Sequence, residues 1–185
     1  MTAVIDAMLN RSSEPRLETP APDADTLEKA FACAARAPDH ALLRPWRYLV
    51  IEGDDALSAL GDLFASTCES DAPDKAREKL RKKAQRAPMV IVGIASHHNH
   101  PKVPEIEQTM SAAVGMGYLL LALEDAGFGG MWRTGSLAYH PDVARGLGLS
   151  DEEIITGFLY AGSVSSNKPP VPRPQPSEFV SRWPQ

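Results

Sequence analysis

Two cysteines in 185 residues, Cys33 and Cys68, with no Cys-x-x-Cys spacing, exclude a disulfide framework and a thiol-based metal finger. Positive charge is also short: the net charge is -5, against the basic excess on which general nucleic-acid binders rely. The charge-free stretch from Thr109 to Leu123 falls short of the ~18 apolar residues of a membrane span. The start, Met1 to Asn10, carries Asp6 and has neither a basic flank nor an apolar run, so it does not read as a secretory signal. These absences lead us to expect a cytoplasmic protein without membrane or nucleic-acid partners. No internal repeat is visible, and no full Gly-x-Gly-x-x-Gly occurs. Gly115-Met116-Gly117 lies inside a helical pattern rather than after a strand. Ser-His-Asp order, a nucleophile elbow and a paired-carboxylate motif are likewise missing, which points to a bound cofactor as the reacting group.

With 43% hydrophobic and 23% charged residues, the chain reads as one globular domain over residues 1-185. A domain of this size buries roughly 70% of its unfolded surface. Val4, Ile5, Met8 and Leu9 share a face at helical spacing and lead into Arg11. Asp25-Thr26-Leu27-Glu28 has the form of a capping box, and Leu27, Ala30, Phe31 and Ala34 supply the stripe of a second helix that ends before Pro38. Cys33, inside that pattern, reads as a small core residue. A buried strand is expected from Trp46 to Glu52, then a helix carrying Leu57, Leu60 and Phe64. A basic, solvated helix follows from Lys75 to Arg86, whose charges could also steer an anionic nucleotide.

Pro88 to Ala95 is nearly all apolar and reads as a strand buried on both faces. A long helix from about Pro104 to Ala126 is apolar nearly all round between Ala112 and Leu123, thinned by Ser111, Gly115 and Gly117, and closed by Gly127. Such a helix needs neighbours on every side, and a second subunit is a reasonable one. A short strand from Phe128 to Arg133, a short helix from His140 to Leu147 and a last strand from Glu153 to Gly162 complete the pattern. Five prolines between Asn167 and Pro176 make residues 167-185 an extended tail.

Three motifs bear chemistry. Arg11-Ser12-Ser13 offers a guanidinium fork and two hydroxyls, the groups that hold a phosphate. Arg36-Ala37-Pro38-Asp39-His40, followed by Arg44-Pro45-Trp46, holds polar side chains at the mouth of a sheet. Gly127-Phe128-Gly129-Gly130 precedes Met131-Trp132-Arg133-Thr134, and its glycines would let the backbone approach a flat ring. The first two have ordinary alternatives, a solvated turn and a helix-end cation beside a loop histidine, and Leu123 and Ala126 just before the third would serve a helix core equally well. His97-His98-Asn99-His100 invites a metal, but adjacent histidines on an extended chain point to opposite faces and no distant partner completes a shell. We expect no metal.

In this order, the three motifs resemble the nitroreductase family, most closely its small bacterial NAD(P)H nitroreductase branch. The resemblance implies an α+β fold: a three-layer sandwich with a mixed, largely antiparallel sheet flanked by helices, in a homodimer with FMN at the interface. It implies FMN contacts at Arg11, Ser12, Ser13, Trp132, Arg133 and Thr134, with Arg36 and His40 reaching the flavin from the other subunit. Ser12 stands where the family places a second arginine, and Thr134 where it has serine. Pyridine-nucleotide contact is implied along Ala122, Leu123, Glu124, Asp125, Ala126 and Gly127. The implied activity is hydride transfer from NAD(P)H through flavin N5 to an oxidised nitroaromatic or quinone acceptor by a ping-pong route. The alternative is a flavin-storing or sensing module with little turnover.

Overall fold

The computed structural model describes residues 3-165, 169 and 171-184. Its centre is β3 (Met89–Ser96), which pairs on one side with β2 (Trp46–Glu52) and on the other with the long β5 (Glu153–Val164). Strand β4 (Gly129–Arg133) and the two-residue β1 (Leu17–Glu18) both pair with β5, and every pairing is antiparallel. The continuous apolar run of β3 has the cause the sequence suggests. Met89 and Ile91 point into one helical layer, and Val90, Val92 and Ile94 into the other.

The first layer is α2 (Ala24–Ala34) and α5 (Glu105–Asp125), which bury Ala30, Ala34, Met116, Leu119, Leu120 and Leu123 against the sheet. Helix α1 (Ala3–Asn10) lies outside α5. The opposite layer comprises α3 (Asp54–Ser66), α4 (Asp74–Ala84), α6 (Pro141–Gly146) and a 3₁₀ turn over Ser136–Tyr139. In it Phe64 and Phe158 meet edge-to-face, with ring centroids 5.3 Å apart. Each fully buried Leu, Ile or Phe here contributes about 1.5–3 kcal/mol relative to exposure.

Several expectations need correction. The cap of α2 is Asp23, whose carboxylate accepts from the Thr26 N–H at 2.9 Å, so Asp25 falls in the first turn. Cys33 is exposed, because the buried stripe of α2 runs through Ala30 and Ala34 and turns Cys33 outward. Strand β2 is half-buried, because the strand order leaves it at the sheet edge. Gly115 does thin α5: an added Cβ would stand 2.6 Å from the Tyr48 hydroxyl. Gly117 meets nothing within 4 Å, so it thins the helix against no part of this chain. Gly127 caps α5 as expected, with φ +89° and the Phe128 N–H returning to the Leu123 carbonyl. Helix α5 is the one described helix long and apolar enough to cross a bilayer, and it packs with α2 on the sheet. Of the Pro-rich tail, residues 167, 168, 170 and 185 lie outside the described set. The remainder is exposed and includes one 3₁₀ turn over Pro176–Glu178, where Gln175 and Glu178 cap each other.

The edge strand is tied down by charge. Arg47 on β2 donates to both Glu153 carboxylate oxygens at 2.6 and 2.7 Å, and Ser96 on β3 donates to the same carboxylate at 2.7 Å. The bidentate Arg47 bond, helped by Ser96 and the Ser150 N–H, holds the Glu153 carboxyl down at about 2. A carboxyl depressed below its unfolded value stabilises the fold above that value and ceases to do so as pH falls through the folded one. Glu153→Gln is therefore expected to lower stability at pH 7 by about 1–3 kcal/mol. The parent should lose this contribution between pH 4.5 and about 2, whereas the variant shows a flatter acid arm. Urea midpoints measured across that range check both statements.

Candidate functional site

Helix α1 delivers the chain to Arg11, and the following turn runs back to the sheet, where the Glu14 N–H donates to the Gly130 carbonyl. Arg11, Ser12, Asn10 and Glu14 thus line one open cavity of about 600 Å³ with Glu124, Asp125, Gly127 and Gly129. Two motifs more than a hundred residues apart, the Arg11 turn and the end of α5, are brought together here. The Arg173 guanidinium also donates to the Arg11 carbonyl, so a second cation stands at this turn. Sequence reasoning did not single out Arg173. Ser12 is occupied: its hydroxyl donates to Glu14 Oε1 at 2.9 Å. At the position where the resemblance implies a second arginine, this chain has a hydroxyl turned to a carboxylate.

Arg36 lies on a second, more apolar groove of about 510 Å³ between α1, α2 and α5, with Met8, Cys33, Tyr118, Leu121 and Ala122. It is exposed and has no ion-pair partner among the described residues. His40 stands elsewhere. Its Nδ1 is 2.9 Å from Glu107 Oε2 in the first turn of α5, a pair about half exposed on both sides that contributes little to stability. The segment after it is held in unusual backbone: Ala41, Leu42 and Arg44 have φ of 64°, 55° and 50°. Left-handed φ at non-glycine residues costs roughly 1 kcal/mol each. Asp39 offsets part of that cost by accepting from the Arg44 N–H at 2.8 Å.

The third motif divides. The Trp132 indole donates to the Thr156 carbonyl at 3.1 Å and lies against Gly157, where β5 bulges opposite Gly93 and Ile94. Arg133 and Thr134 are exposed at the end of β4 and open onto the opposite side of the sheet, beside Lys83, Arg86 and Tyr160. Gly129 and Gly130 serve the fold rather than a ring. A Cβ on Gly130 would stand 2.3 Å from Leu120, and one on Gly129 2.6 Å from Val164. Of the stretch from Ala122 to Gly127, Leu123 is buried in the core, while Glu124, Asp125 and Gly127 line the Arg11 cavity. Ala122 belongs to the Arg36 groove, and Ala126 is exposed at the helix end.

The histidine run is spent on structure. His97 Nε2 lies 2.8 Å from the Thr109 hydroxyl, and the buried Gln108 amide bonds both the N–H and the carbonyl of His98. His100 accepts from the Lys102 N–H. No group of three metal-ligating side chains converges among the described residues.

The chain is an α+β protein in which an Arg-Ser turn lies beside the end of a long helix on a three-layer antiparallel sandwich. The Nitroreductase family model matches residues 9–163, and the chain belongs to that family. It is 37% identical over 180 residues to the Escherichia coli K12 protein named "Putative NAD(P)H nitroreductase YdjA", covering 96% of this chain and 97% of that one. Among solved structures, a nitroreductase-like family protein from Bacillus cereus superposes with a TM-score of 0.88 at 21% identity, over 100% of this chain and 98% of the other. Iodotyrosine deiodinase, solved with FMN and 3-iodo-L-tyrosine, superposes with a TM-score of 0.71 at 22% identity, over 98% and 99%. These two share the fold.

Proposed function

We infer that the chain is an FMN-dependent oxidoreductase that works as a homodimer with FMN at the interface. Bound FMN would supply the redox chemistry, a two-electron relay at N5 between NAD(P)H and an oxidised acceptor of nitroaromatic or quinone type by a ping-pong alternation. The family and the relative of similar length support the class of activity. In favour of a phosphate, Arg11 opens onto the cavity with Asn10 and Ser12, and Arg173 donates to the Arg11 carbonyl; against it, Asp6, Glu14, Glu124 and Asp125 line the same cavity.

One observation carries the dimeric site. Arg11 shares its cavity with Glu124 and Asp125 at the end of α5, whereas His40 is bonded to Glu107 at its start. At ~1.5 Å per residue these points are about 25 Å apart, so the His40 that meets the ring of an FMN whose phosphate is at Arg11 comes from a second chain. The outward stripe of α5, Ile106, Met110 and Val114, is 39–59% exposed, and α1 adds Val4, Ile5, Met8 and Leu9. A second copy packed antiparallel along that stripe covers it and sets the His40 end of one chain against the Arg11 end of the other.

In this arrangement Arg11 and Ser13 hold the phosphate, and Arg36 and His40 place positive or hydrogen-donating groups near the ring, favouring its reduced, anionic form. Trp132, Arg133 and Thr134 border the site at the end of β4, and the stretch from Ala122 to Gly127 borders the nucleotide. Arg11→Ala is expected to weaken FMN binding by about tenfold or more, the usual loss for a charge-assisted fork. Fluorescence titration of the apoprotein with FMN tests this, and unchanged affinity would remove Arg11 from the phosphate site.

A further inference from the structure

Lys83 at the end of α4, Arg86 in the turn behind it and Arg133 at the end of β4 open onto one cavity of about 290 Å³ with Thr134, Ser136 and Tyr160. Among the described residues none of these three cations has an ion-pair or hydrogen-bond partner. By contrast, Arg77, Arg81 and Lys82 on the same helix are all engaged with carboxylates or carbonyls. A chain with net charge -5 had carboxylates to spare; none is placed here.

Holding three like charges at one mouth costs free energy. Burial first, then repulsion from Arg86, Lys79 and Arg133, lowers the Lys83 pKa. Tyr160 is only 4% exposed, and its phenol is pushed up by burial while Arg86 and Arg133 pull it down. Lys83, both arginines and the phenol line the same cavity, so its mouth carries the positive charge. A dianion relieves this repulsion; arginine forks grip phosphate oxygens in pairs and lysine adds a point charge. The cavity is at the small end of ligand sites, suited to one phosphate group rather than a whole dinucleotide.

We propose that Lys83, Arg86 and Arg133 form an anion subsite that receives a phosphate group of the ligand docking at the end of β4. For the identity of that ligand, the subsite rests on the oxidoreductase reading. The flavin phosphate is disfavoured here, because the Arg11 turn assigned to it meets β4 at Gly130, the other end of the strand; a pyridine nucleotide that borders Ala122 to Gly127 must extend along β4 for its phosphate to reach this mouth.

The first readout requires no turnover: phosphorus NMR titration of the purified protein with inorganic phosphate at low ionic strength. The parent and the charge control Lys29→Gln are expected to bind, and the double variant Lys83→Gln/Arg86→Gln to bind about tenfold more weakly. No binding by the parent, or equal binding by the double variant, overturns the subsite whether or not the protein holds flavin. Turnover then identifies the source. A rise in the double variant's KM for NADPH with NADH unchanged assigns the 2′-phosphate, and an equal rise for both assigns the pyrophosphate. A loss of affinity for FMN but not for riboflavin moves the phosphate to the flavin and overturns the nucleotide assignment. Phosphate binding without reduction by either nucleotide supports the subsite while sinking the oxidoreductase reading.

Discussion

Gly157→Ala is expected to cost about 2–4 kcal/mol and to displace Trp132. Gly157 sits at the β5 bulge with φ +154°, and an added Cβ would stand 2.0 Å from Trp132 Nε1 and 3.0 Å from the Arg133 carbonyl. Neither neighbour can yield cheaply. The indole is bonded to the Thr156 carbonyl, and the Arg133 carbonyl belongs to the β4–β5 ladder. The substitution therefore moves the strand that carries Arg133 and Thr134. Urea denaturation should show the loss of stability, and the fluorescence of Trp132 should change in the native baseline. If FMN lies against this strand, its affinity should fall in the same variant. A Gly157→Ala protein as stable as the parent, with unchanged fluorescence, would contradict the account of the bulge.

Met110→Glu is expected to leave the fold intact and abolish the dimer. Met110 is 59% exposed on the outward stripe of α5, so a carboxylate there is solvated in a single chain. In the two-copy arrangement the same carboxylate is carried into an apolar seam, where an unpaired charge costs several kcal/mol. Because Arg11 and His40 stand at opposite ends of α5, separating the copies also dismantles the flavin site. We expect gel filtration to give a monomer, FMN affinity to fall by at least about tenfold, and the urea midpoint at low protein concentration to stay near that of the parent. A parent that is itself monomeric while holding FMN tightly would overturn the shared site.

Much of the fold was legible because it follows from local pattern. The unbroken apolar run of β3 announced a strand with two covered faces, and Gly127 announced the end of α5 where a left-handed residue was needed. Misreadings arose where local pattern offered near-equivalents or where the deciding partner lay far away. Asp23 and Asp25 are both competent caps, and only the backbone path after Pro22 chooses between them. Strand β1 has two residues and exists through its pairing with Ser163 and Val164. Gly129 and Gly130 looked like room for a ring, but the side chains that require them, Val164 and Leu120, come from other elements.

The candidate site was less legible for the same reason. Nothing near Ser12 forecasts that Glu14 takes its hydroxyl, although the two are only two residues apart. The His40 partner, Glu107, is 67 residues away, and Arg173 reaches Arg11 across 162. Lys83 and Arg86 belonged to a helix whose charge reads as solvation. Their common cavity with Arg133 becomes visible only once α4 and β4 are placed side by side.

In the proposed function, a flavin held by two copies of this chain exchanges electrons with a pyridine nucleotide. The most direct test is an anaerobic titration of the FMN-loaded protein with NADH and with NADPH, followed by a quinone or nitroaromatic acceptor. The protein should be yellow, bleached by about one equivalent of nucleotide per flavin as expected for a two-electron hydride donor and restored by the acceptor. A yellow protein that neither nucleotide bleaches would make the chain a flavin carrier, and a colourless one with no affinity for FMN would contradict the account altogether.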